Sequence, residues 1–224
     1  MTNSHGRTLE DVRSWPANPA ARKALQEYLE ALPLKAENSP LSLAGGELDF
    51  SGADLSGLYL SGAWLGEAIL NDVRLVDADL YSAWLVQATA RGADLSGSDL
   101  RKVDGRACDA RNASFRRARL ARADFEDSDF RGADMSGADF ARASLGGIDL
   151  RGADLRNCVC GPAVGPTDLE GARLAGCLLS GATGHVYGPV DIGADAPRLV
   201  NGSELGAWFA SQGAPGVEVT MLGS

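Results

Sequence analysis

The chain has 224 residues and a formal net charge of −9, which predicts one domain with small appendages and argues against nucleic acid or anionic membrane surfaces as direct partners. Hydrophobic residues make up 45% of it but aromatic ones only 6%, with 28 glycines, so the apolar share is mostly alanine and leucine and suits a narrow core. The opening MTNSHGRTLEDVR has no apolar h-region behind it, and no apolar run approaches the roughly 18 residues that span a bilayer, so a soluble cytoplasmic protein is the expectation.

The first predicted element is a helix over residues 19–31. Asn18 supplies an N-cap and Pro19 fits the first helical turn. Leu25, Tyr28, Leu29 and Leu32 fall on one face, so residues 1–42 are expected to form a helical N-terminal cap.

From Gly46 the chain divides into fives: GELDF SGADL SGLYL SGAWL GEAIL, and so on to RGADL RNCVC. Of the 23 block-final residues from Phe50 to Cys160, 19 are Leu, Phe or Met. Two residues before them, 14 positions are alanine; one residue before, 13 are aspartate. A period of five is neither helical nor a simple strand alternation. Each block turns one large and one small side chain inward, and no single block can bury its own centre, so stability must come from stacking. Weak centres at Ala90, Gly105 and Ala110 predict an underfilled third coil. After Cys160 the pattern resumes at Leu169, Leu174 and Leu179, one residue short of phase, and the segment GPAVGP is expected to mark a deletion. Beyond it, a helix from Ser203 through Gln212, stopped by Gly213, and a strand alternating Val217, Val219 and Met221 complete the chain.

The blocks SGADL, RGADL, RGADM and SGADF carry the A-D/N-L-x-x signature, and residues 43–184 resemble the pentapeptide-repeat family. That resemblance implies an all-β solenoid, a right-handed quadrilateral β-helix with four blocks per coil, each coil rising about 4.8 Å. The tail, residues 185–224, is similar in pattern to the helix-and-strand module of the quinolone-resistance members. The likeness implies a homodimer there, with Trp208 and Phe209 as the contact.

No catalytic constellation is present: the only histidines, His5 and His185, lie at opposite ends, and neither a phosphate loop nor a nucleophile motif occurs. No metal or other cofactor is implied. Cys158 and Cys160 take inward positions, and Cys177 is expected above Cys158. Trp64 and Trp84 are 20 residues apart and outward by phase, with Tyr59 nearby. They are expected to lie under the N-terminal helix, or alternatively to form a partner site.

Charge varies along the rod. Residues 49–100 hold eight acids and two bases, residues 101–122 eight bases and two acids, and residues 123–160 eight acids and four bases. At about 4.8 Å per coil, the first stretch approaches the charge density of duplex DNA, one negative charge per about 1.7 Å. Arg91, Arg111, Arg131 and Arg151 form a column, expected to be an internal Arg–Asp ladder. The family resemblance implies a non-enzymatic DNA mimic acting on a type II topoisomerase such as gyrase. Its acidic face would be Asp124, Asp129, Asp134, Asp139, Asp149 and Asp154. A general protein-interaction scaffold with an unknown partner is the alternative.

Overall fold

In the computed structural model, residues 6–32 and 41–220 are described; His5 and Met221 lie outside them. Every block from Ala44 onward repeats the same geometry. The residue before each centre bridges its equivalent one coil on, as in Trp64 to Trp84 and Asp79 to Asp99, and from Ala44 to Val159 the partners are 20 residues apart. The rungs are hydrogen-bonded on both sides: the Leu65 amide donates to the Trp84 carbonyl at 2.8 Å, and the Trp84 amide to Ala63 at 2.9 Å. Twenty residues at five per side give a four-sided coil. The sides are numbered here by their bridging residues: the first carries Ala44, Trp64, Trp84, Asp104, Asp124 and Ser144; the second starts at Asp49, the third at Asp54 and the fourth at Tyr59.

Between sides, the chain turns through two residues. The amide after the turn donates to the preceding centre's carbonyl, as Ala53 does to Phe50 at 3.1 Å, and the second turn residue is left-handed. Glycine fills many of these places, but Arg117, Arg122 and Asp127 adopt the same conformation. Centres and the alanines two before them are buried, with the centres Ala90 and Cys160 partly so, and Phe50, Ala53, Leu80, Leu100 and Phe130 completely.

The centres at Ala90, Gly105 and Ala110 are compensated by three phenylalanines. Phe115, Phe125 and Phe130 stack with ring centroids 5.1 to 6.5 Å apart. The Phe125 ring occupies the space a side chain at residue 105 would need, so glycine is required there. The expected underfilling is reduced to a small apolar void beside Leu95, Ala90 and Phe115.

The slip after Cys160 is an insertion and not a deletion. Ser144 bridges Asp168 and Asp154 bridges Leu178, each 24 residues on. Modulo five, one residue too few and four too many are the same phase. The surplus forms an outward loop containing Val164, pinned where Thr167 Oγ1 donates to the Phe140 carbonyl at 2.9 Å and accepts from the Gly161 amide at 3.0 Å. Cys177 therefore lies level with Ala153, not above Cys158, and its thiol donates to the Leu150 carbonyl.

Both ends are closed by the chain itself. Helix α1 (Pro19–Ala31) matches its expected span, with the Asn18 side chain accepting from the Ala20 and Ala21 amides. Residues 6–14 add a further rung: Ser14 bridges Asp54 antiparallel, and the Tyr59 amide donates to the Gly6 carbonyl at 2.7 Å. At the far end, β1 (Thr167–Asp168), β2 (Thr183–Tyr187) and, after β3 (Val190–Asp191) and β4 (Leu199–Val200), β5 (Gly216–Val219) are the last rungs, with β2 parallel to both β1 and β5. Helix α2 (Gly202–Ser211), capped by Asn201 rather than Ser203, buries Leu205 and Phe209. Phe209 lines a small apolar void at the end of the core together with Leu174, Leu179 and Val217. Rungs thus continue past residue 184, and the tail is part of the stack.

Two substitutions test this packing. Phe130→Asp places an unpaired charge in the core and should leave no cooperative unfolding transition. Gly105→Ala forces the Phe125 ring out of place and should lower stability by about 1–3 kcal/mol in urea denaturation.

Candidate functional site: an aromatic and acidic side of the rod

The bridging aspartates have a structural task. In most of them Oδ1 accepts the backbone amide two residues on, as Asp49 does from Ser51 at 2.9 Å and Asp139 from Ala141 at 2.9 Å. This bond holds the turn, which explains why aspartate recurs with the fold's period.

The six acids expected to form one face do not share one. Asp124 lies on the first side, Asp129 and Asp149 on the second, Asp134 and Asp154 on the third, and Asp139 on the fourth. Four of them are also neutralised locally. Arg131, Arg151 and Arg156 chelate Asp129, Asp149 and Asp154, and Arg116 reaches Asp134 at 2.9 Å. Asp124 has only Arg106, at 3.7 Å, and Asp139 has no ion pair among the described residues.

The arginine column is the ladder the sequence implies. Arg91 binds Asp109 one coil on; Arg111 binds Asp109 and approaches Asp129 at 3.5 Å; Arg131 binds Asp129 and approaches Asp149 at 3.9 Å. The bidentate arginines hold the carboxyls of Asp109, Asp129 and Asp154 below the ordinary carboxylate range. At Asp124 burial acts the other way, aided by Glu126 and Asp104, and its pKa is raised.

Among the described residues, the N-terminal segment does not cover the tryptophans. It lies over the third and fourth sides of the first coil, where Tyr28 donates its hydroxyl to the Tyr59 carbonyl at 2.8 Å and the Arg7 guanidinium sits 3.8 Å from the Tyr59 ring centre. Tyr59 is therefore a cap contact. Trp64 and Trp84, on the first side, are 61% and 44% exposed. The phase of the repeat places Tyr59 one side away from Trp64, and the cap settles on Tyr59's side.

Around the indoles the repeat is locally inverted. Elsewhere the turn commonly reads Ser-Gly, with glycine in the left-handed place; here it reads Gly46-Glu47 and Gly66-Glu67. Glu47 (φ 61°) and Glu67 (φ 58°) occupy the left-handed position, at a penalty of roughly 1–2 kcal/mol per residue relative to glycine. Glycine at residue 66 has a separate reason. A β-carbon at Gly66 would sit 2.9 Å from Trp84 Cδ1 and Nε1 and 3.2 Å from Trp64 Nε1, so the indoles lie over a turn that must be bare. The result is a groove lined by Trp64 and Trp84 along its floor and Glu47, Glu67 and Gln87 along its rim. The signal for the two glutamates was present in the blocks GELDF and GEAIL, as an exchange of positions within an otherwise regular repeat.

Neither member of the tail pair makes an open apolar contact. Phe209 is 2% exposed in the rod's own core, which corrects its expected place in a dimer contact. Trp208 is partly buried, edge-on to the Phe209 ring at 5.1 Å. Among the described residues no group of His, Cys, Asp and Glu is arranged to hold a metal, and no helix is long and apolar enough to cross a membrane.

The family model described as "Pentapeptide repeats" matches the chain in 8 copies over residues 47–72, 74–104, 106–137 and 133–160. The chain belongs to the pentapeptide-repeat family, whose fold is a right-handed β-helix solenoid. Among solved structures it is similar to a pentapeptide-repeat protein from the Arabidopsis thaliana thylakoid lumen (30% identity, 47% of this chain and 74% of that one, TM-score 0.44). It is also similar to HetL from a Nostoc cyanobacterium, a protein involved in heterocyst differentiation regulation (25%, 68% and 88%, TM-score 0.29). A third is full-length QnrB1, a plasmid-mediated fluoroquinolone resistance protein (16%, 77% and 92%, TM-score 0.43). No curated protein matches the chain in sequence.

The ladder gives a pH dependence. A depressed folded pKa contributes stability above the unfolded value of about 3.9, and the contribution is lost as pH falls below that toward the folded value. Asp109→Asn should therefore lower the thermal midpoint at pH 7, and the gap to the parent protein should narrow steadily as the pH is taken below 4. A gap independent of pH would mean that the Asp109–arginine contacts contribute nothing ionic.

Proposed function

We propose that this chain is a non-enzymatic protein-binding rod that receives its partner on the first side, over Trp64 and Trp84. The observation that carries this reading is the exposure of two indoles one coil apart on a fold that puts nearly all of its large apolar side chains inside. Exposed aromatic surface of this kind is characteristic of contact sites, and tryptophan is prominent among residues that dominate binding energy. A photo-crosslinking amino acid at Val86, beside the indoles, should give one discrete protein adduct in the host cell. The same group at Ser114, on the third side, should give none, and Trp64→Ala with Trp84→Ala should abolish the first adduct. Equal labelling from both positions would contradict the docking side.

A second reading, a DNA mimic on the basic saddle of gyrase, is favoured by the net charge of −9 and by the eight acids against two bases in residues 49–100. The spread of the carboxylates over four sides and the arginine ladder weigh against it. Duplex mimicry needs unneutralised charge arranged in rows. In a gyrase supercoiling assay the binding-rod reading expects no inhibition at micromolar protein. Salt-sensitive inhibition, relieved by reversing Asp124 and Asp139 to lysine, would favour the mimic instead.

A further inference from the structure

We infer that the groove over Trp64 and Trp84 is a cation-reading site that takes an arginine-bearing segment of the partner; this deepens the docking reading and rests on it. The floor is two indoles, whose negative π-faces attract guanidinium and ammonium groups more strongly than any other side-chain ring does. The rim is Glu47 and Glu67, one coil apart and both exposed, with no cation paired to either among the described residues. That separates them from most of the bridging aspartates of the rod. Asp99, Asp104, Asp109, Asp129, Asp149 and Asp154 each already hold an arginine two residues on.

The exchange within the turn supplies both parts of the site. Glutamate stands in the left-handed turn position on two successive coils, a place that other non-glycine residues such as Asp72, Ser82 and Arg117 also take along the rod. Glycine stands one place earlier on both coils, at Gly66 where the indoles leave no room for a β-carbon. Moving glycine forward clears the floor, and moving the acid back supplies the rim. Lys102, Arg122 and Arg142 lie on the opposite edge of the first side, and Arg106, one coil beyond Val86 on the groove's own edge, is folded back on Asp104. Arginine fits better than lysine because a planar guanidinium can stack on an indole while its edge donates to a carboxylate.

The test is a titration of the full chain with the acetylated, amidated peptide Gly-Arg-Gly-Arg-Gly and with its counterpart carrying norleucine for arginine. Binding is read from the indole Nε1–H signals of Trp64 and Trp84. The arginine peptide should shift both signals saturably and bind at least about tenfold more tightly than the norleucine peptide, a difference of about 1.4 kcal/mol. Glu47→Gln with Glu67→Gln should remove that preference while leaving the fold and the signals in place. Equal affinity for the two peptides, or no shift with either, overturns the inference. Failure here is distinguishable from failure of the docking reading. A cellular adduct at Val86 that survives the double glutamine change but not the double alanine change leaves docking standing and removes only the cation.

Discussion

The whole molecule depends on one constraint, the hydrogen-bonded rung that ties each residue before a centre to its equivalent one coil away. A side of five residues is too short to be a strand of any stability on its own. It persists because the coils above and below satisfy its amides and carbonyls, and because a leucine or phenylalanine from each side meets three others inside. The narrow interior favours alanine two before the centre, with Leu58, Val73, Val103 and Ile148 as buried exceptions. The turns must pass through a left-handed residue at every corner, and an aspartate carboxylate braces many of them. Composition, periodicity and the recurrence of aspartate all follow from that requirement.

The same constraint explains why charge is a poor guide to function in this rod. An aspartate at the bridging position braces the turn, so a high aspartate count arises whatever the protein binds. Arginine two residues later then folds back on it, and the pair is close to neutral toward a partner. What distinguishes one rod from another is the departure from the repeat. Here the clearest departure is on the first side of the early coils, where tryptophan replaces aspartate at the bridge and glycine and glutamate exchange places in the turn.

The architecture was legible because it is periodic. The centres, the inward alanines, the Arg–Asp column and the span of the first helix, set by Asn18-Pro19, all follow from spacing. What was not legible depends on quantities that spacing does not contain. The phase after Cys160 is known only modulo five, so an insertion of four residues reads as a deletion of one, and Cys177 was placed over the wrong neighbour. Amphipathicity shows that α1 has a face to bury but not which side of the first coil receives it; the Tyr28–Tyr59 contact decides that, and it leaves Trp64 and Trp84 open. Phe209 reads equally well as a dimer contact or as a plug, and only the open end of the stack, needing a large apolar group beside Leu174 and Leu179, selects the plug. The six aspartates were grouped by their position in the block, which is common to all four sides.

The central claim is that the indoles at 64 and 84 are the working surface of the rod. The most direct measurement is fluorine NMR of the chain labelled with 5-fluorotryptophan, taken in the host cell and on the purified protein, with the four signals assigned by single Trp→Phe changes. The account predicts that the signals of Trp64 and Trp84 shift or broaden in the cell while that of Trp208, packed against Phe209, keeps its position. Four signals unchanged between cell and purified protein would contradict it.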